Sequence, residues 1–236
     1  MPPARPNGAR VAVLAVSDFP GRPGLGRLGQ ACQAAENVAA IYAEAGIPAE
    51  LLLEPTRDQV LGAMRDGTLA GARCLHVDTH GYSLVDDLSK DAPLESVLEL
   101  ADNSVDGYEI ASADLKCEVV VLTACFAGQR AISGRGLPEQ PGDELFGVSA
   151  AFLDARCRSV LAPIWPAEDG TISPILALFH RNLANGAPAD IALAQAQRAF
   201  LDTASYVKRS AYYWAPLMLT AVGRPRPVAL TPEEPV

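Results

Sequence analysis

The chain has 236 residues, 49% of them hydrophobic and 20% charged, so it can bury a real core and wholesale disorder is excluded. Acidic residues outnumber basic ones by 28 to 19, a net charge of −9, and that balance argues against nucleic acid as the main partner. The first apolar run, Val11 to Val16, is too short for a signal-peptide core, no run approaches a membrane span, and the five cysteines form no CxxC pair. The expectation is a reduced, cytoplasmic protein with no membrane association, no disulfide framework and no metal site.

In chain order, residues 1–9 and the proline-rich 224–236 read as flexible tails around one domain, 10–223. Val11–Val16 reads as a buried strand. Gln30–Ala45 reads as a helix closed by Gly46, and Ala49–Leu53 as a second strand. Thr56 and Gln59 form a capping box that opens a helix ending at Gly67. Arg73–Thr79 is a third strand and Glu118–Thr123 a fourth. Asp143–Leu153 is a helix, Ser159–Ile164 a fifth strand, Thr171–Ala184 and Ala189–Thr203 two helices, and Trp214–Val222 the last strand. Strands alternating with helices predict an α/β fold with a mostly parallel six-stranded sheet covered on both faces. In such sheets, chemistry collects at the carboxyl ends of the strands.

Strand three runs into Asp78-Thr79-His80-Gly81 and strand four into Thr123-Ala124-Cys125. If the two strands are parallel neighbours, a histidine and a cysteine face each other at exposed strand ends. A thiolate attacks carbonyl carbon, and an imidazole activates the thiol and then protonates the leaving amine. Glycine at 81 lets a backbone N–H approach the substrate carbonyl. Taken singly, a cysteine or a histidine is more often structural, and Cys32, Cys74, Cys117, His76 and His180 are read as such.

The segments HVDTHG, VVVLTACFAG, ELFGVSAAFLDARCRSVLAPIWPAED, FHRNLANG, ALAQAQRAF and WAPLMLTAVG resemble, in order and spacing, the successive motifs of the CHAT domain family, caspase-like proteins often joined to TPR repeats. The resemblance spans roughly residues 10–223. It implies a caspase-like three-layer sandwich and a cysteine endopeptidase that needs no cofactor. It places His80 on the catalytic histidine, Cys125 on the nucleophile, and the oxyanion hole on the backbone N–H groups of Gly81 and Cys125. Trp165 falls on a tryptophan that walls the substrate cleft. Thr123 stands where metacaspases carry an acid that reads a basic P1 residue, with Asp78 and Asp169 as the acids that could replace it. The partner implied is a protein substrate cut at limited sites, by fold analogy in bacterial defence or programmed cell death. A regulatory or TPR-type protein would be a separate chain. The alternative is a catalytically silent CHAT-fold interaction or scaffold module.

Two further stretches stand out. Residues 86–109 carry eight acids against Lys90, which reads as a solvated face or as an attractor for a basic substrate. Residues 128–142 hold four glycines, two prolines, Arg130 and Arg135, and by resemblance could form a self-cleavage segment cut after either arginine.

Overall fold

The computed structural model describes residues 10–20, 22, 24–83, 94, 96–123, 143–165 and 169–223, with backbone only at 82–83, 143–147 and 169–171. The tails, Cys125 and the 128–142 segment lie outside them.

Nine strands are present among the described residues: β1 (Val11–Ala15), β2 (Ala49–Leu53), β3 (Cys74–Asp78), β4 (Gly81–Ser83), β5 (Ser96–Glu99), β6 (Ser104–Asp106), β7 (Val119–Leu122), β8 (Ser159–Pro163) and β9 (Leu217–Ala221). The α-helices are α1 (Ala31–Glu44), α2 (Arg57–Arg65), α3 (Gly107–Ser112), α4 (Asp143–Asp154), α5 (Asp169–Ala184), α6 (Ala189–Thr203) and α7 (Ala211–Trp214).

The main sheet has six strands in the order β2-β1-β3-β7-β8-β9, parallel except for β9, which runs antiparallel to β8. β1 and β7 are apolar throughout, and β3 and β8 nearly so, because both faces of the sheet are covered. Alternate residues serve opposite layers. Leu14, Leu75, Val77, Val120 and Leu122 join Val60 of α2, Ile110 of α3 and Phe152 of α4 in one core. Val11, Val13, Val119, Val121 and Leu161 join Tyr42 of α1, Phe179 of α5 and Phe200 of α6 in the other. The result is the expected three-layer sandwich.

Local chemistry sets the helix ends. Thr56 and Gln59 form the expected capping box, each side chain meeting the other's backbone. Gly46 takes φ 70°, the left-handed conformation that closes α1.

The sequence pattern misses one element group. Part of the acidic stretch folds into a second, antiparallel sheet, β4-β5-β6, followed by α3. The four acids of that stretch that the structure describes are built into the fold. Glu99 is fully buried and paired with Arg22. Asp102 accepts from the Arg57 N–H at 2.8 Å. Asp106 and Glu109 form a capping box on α3, and Glu109 also pairs with Arg57. Of these four only Glu99 is buried; Asp106 and Glu109 are half-buried and Asp102 stays exposed, so the solvated face that a charge run suggests holds in part. A smaller difference lies at the end of the chain, where residues 211–214 turn as α7 before the last strand begins at Leu217.

Candidate active site

The strand order changes direction at β1: β2 lies on one side of it and β3 on the other. The crevice outside the carboxyl ends of β1 and β3 is the place where an open α/β sheet binds ligands. His80 lies there, two residues beyond β3.

His80 is 3% exposed, which corrects the expectation of an exposed strand end. The loop from β1 to α1 folds over it. Phe19 from that loop packs on the imidazole with ring centroids 4.9 Å apart. The Gly26 carbonyl sits 2.7 Å from Nε2. A carbonyl only accepts, so Nε2 carries the hydrogen, and in the neutral ring Nδ1 is the basic atom. The backbone at 80 is fixed as well, since the Glu99 N–H donates to the His80 carbonyl at 2.9 Å.

That last bond defines the neighbouring pair. Gly81 lies opposite Leu98, and a bond just outside the pair makes it a wide one in which the two residues exchange no hydrogen bonds. The Gly81 N–H is therefore not spent on β5.

β3 and β7 are parallel neighbours, the condition on which a His80–Cys125 pairing depends. Pairing continues to Thr123, whose N–H donates to the Val77 carbonyl at 2.9 Å and whose hydroxyl donates to the same carbonyl at 3.3 Å. The Thr123 hydroxyl is thus engaged with β3. Asp78 ends β3 half-buried, and its carbonyl accepts from Val16 at 2.9 Å. Trp165 follows β8 half-buried and is tethered by Nε1 to the Tyr212 carbonyl at 3.0 Å. Asp169 opens α5. Gly81, His80, Asp78, Thr123 and Trp165 therefore gather along the carboxyl rim of β3, β7 and β8. Cys125, Arg130 and Arg135 lie outside the described residues.

Sequence reasoning missed Phe19, Arg22, Gly26 and Glu99. An aromatic residue in the loop after the first strand was the one available signal. Nothing in spacing links Gly26 to a histidine 54 residues away.

The other two histidines are structural. The Tyr42 hydroxyl lies 3.0 Å from His180 Nδ1, and His180 Nε2 lies 3.2 Å from His76 Nδ1, all within the second core. Burial lowers both histidines, His76 to about 4. The described thiols are poor nucleophiles. Burial pushes Cys74 up to about 12. Burial and nearby Glu54 raise half-buried Cys32, although Ser17 bonds oppose them. Cys117 is raised by its neighbour Cys157 and by burial, and Cys157 is lowered by a hydrogen bond from Cys117 but is fully enclosed. Among the described residues no group of three or more His, Cys, Asp or Glu side chains could hold a metal ion. No described helix is long and apolar enough to cross a membrane.

Comparison with solved structures identifies the fold. The Drosophila initiator caspase Dronc matches with a TM-score of 0.50 and 13% identity, over 90% of this chain and 79% of that one. Protein GSU0716 from Geobacter sulfurreducens matches with a TM-score of 0.52 and 17% identity, over 93% of this chain and 95% of that one. The architecture is caspase-like. No curated protein matches the sequence. The CHAT domain family model matches residues 2–224, nearly the whole length, and the chain belongs to the CHAT domain family.

Proposed function

We propose that the protein is a caspase-like cysteine endopeptidase that makes limited cuts in a partner protein, with His80 and Cys125 as its dyad. The observation that supports this reading is the Gly26 carbonyl on His80 Nε2, which puts the hydrogen on Nε2 and makes Nδ1 the nitrogen able to take a proton, at the sheet's switch point. The strand order supports it. β3 and β7 are parallel neighbours, and in sequence His80 and Cys125 each follow the carboxyl end of one of them.

The chemistry follows from those atoms. The Cys125 thiol gives its proton to His80 Nδ1, and the thiolate attacks the scissile carbonyl carbon. The oxyanion is held by the backbone N–H groups of Gly81 and Cys125. As the C–N bond breaks, His80 returns the proton to the leaving amine. Water, deprotonated by the same imidazole, then hydrolyses the thioester and frees the thiol. No metal or organic cofactor takes part. Trp165 walls the cleft, and Asp78 and Asp169 favour a basic P1 residue.

Thiol reactivity in the native protein separates this reading from a silent scaffold. Iodoacetamide at neutral pH should label Cys125 well before Cys32, Cys74, Cys117 and Cys157. Cys125 reacting no faster than Cys32 would favour the scaffold.

A further inference from the structure

His80 is oriented by a backbone carbonyl, and a carbonyl is only as well placed as the loop that carries it. The described residues of the loop from β1 to α1 form no helix or strand, and point attachments hold them. Arg22 stands at its centre. Its N–H donates to the Phe19 carbonyl at 3.0 Å, and its own carbonyl accepts from Leu25 at 3.2 Å. Two successive turns thus meet at Arg22, one leading to the ring that packs on His80 and the other to the residue before Gly26.

The Arg22 guanidinium reaches out of the loop to the second sheet. Nη2 meets the Glu99 carboxylate at 2.5 Å, and Nη1 meets Asn103 Oδ1 at 3.4 Å. The Glu99 side chain is fully buried, while that of Arg22 is 28% exposed. The backbone of Glu99 holds the other end of the same site. Its N–H donates to the His80 carbonyl at 2.9 Å, and its carbonyl accepts from the Thr79 hydroxyl at 2.5 Å. The contacts close a ring: His80 imidazole to Gly26 carbonyl, loop to Arg22, Arg22 to the Glu99 carboxylate, and Glu99 N–H back to the His80 carbonyl.

Stability alone does not call for a charged pair here. Well-packed apolar side chains of similar volume generally serve a buried position as well as an ion pair or better. A planar guanidinium across a carboxylate and an amide oxygen instead selects one direction of approach. We propose that Arg22 and Glu99 are positioning residues for His80, which they serve by fixing the loop so that the Gly26 carbonyl holds the Nε2–H tautomer. The catalytic meaning of that tautomer rests on the peptidase reading above. The positioning itself does not.

The test uses the full chain with 15N-labelled histidine. In the wild type, His80 should be Nε2–H. Glu99→Gln leaves the arginine charge without its partner and is expected to lose stability. The informative variant is therefore Arg22→Met with Glu99→Met, which removes both charges and keeps the volume. With the fold retained by circular dichroism, its His80 should become a mixture of tautomers, and Cys125 alkylation by iodoacetamide should slow about ten-fold or more, as a misplaced base implies. Arg22→Lys keeps the charge and loses the fork, and should fall between wild type and the double variant. A folded double variant whose His80 keeps the wild-type tautomer overturns the proposal. Failure of the peptidase reading looks different: Cys125 is unreactive in the wild type, while the tautomer still answers to Arg22 and Glu99.

Discussion

The Nε2 atom of His80 and the carbonyl oxygen of Gly26 lie 2.7 Å apart, although 54 residues separate them in the chain. The contact joins the loop between β1 and α1 to the residue two beyond β3, and β1 and β3 are adjacent parallel strands at the point where the sheet reverses its winding. It sets the proton of the histidine before any substrate arrives. Because His80 is buried against Phe19, the informative replacement is His80→Gln, which keeps more volume than alanine. It should abolish peptidase activity and cost no more than about 1–3 kcal/mol of stability by denaturant unfolding. Full activity in His80→Gln would remove the histidine from the mechanism.

Acid should destabilise the fold through its core. His76 and His180 are both lowered by burial, His76 from 6.5 to about 4. The unfolded chain therefore binds protons at pH values where the folded one does not. The stability associated with neutral His76 is present above pH 6.5 and is lost as pH falls toward 4. The shift corresponds to roughly 3 kcal/mol. Urea midpoints measured between pH 7 and 4.5 should fall steadily, and should fall less in His76→Gln. Midpoints that stay level across that window would contradict the assignment.

The mapping from sequence to structure was uneven for physical reasons. Elements read from local patterns, such as the strand Ala49–Leu53, the helix Ala189–Thr203 and the Thr56 capping box, are present as expected because each is decided largely by its own residues. The second sheet was hidden because β4, β5 and β6 have only three or four residues each and include Glu99 and Asp106, whose burial and capping depend on distant Arg22 and on Glu109. The Asp106-x-x-Glu109 spacing was a signal for α3, masked by the surrounding acids. At the site, His80 was legible as a strand-end residue. Gly26 was not, because a carbonyl carries no sequence signature.

Self-cleavage has a defined signature. The stretch 128–142 lies close in sequence to Cys125 and is rich in glycine, and on the proposed peptidase reading it is the candidate self-cleavage segment. Activated protein should be nicked after Arg130 or Arg135. Intact-mass analysis of active enzyme showing only the uncut chain would count against this.

On the proposed peptidase reading, substrate preference is assigned to Asp78 and Asp169, since Glu99, Asp106 and Glu109 are paired within the fold. A positional peptide library should show Arg or Lys at P1, with selectivity weakening as salt rises. Selection of Leu, Met or Asp at P1 would point to an apolar pocket beside Trp165 or to a different charge pattern.

We propose that Cys125 cuts other proteins with the help of His80. The most direct measurement is a proteome-wide comparison of new N-termini in cells expressing the wild type and Cys125→Ala at equal levels. A small set of discrete new termini is expected with the wild type, absent with Cys125→Ala and unchanged with the control Cys117→Ala. The same termini appearing with Cys125→Ala would contradict it.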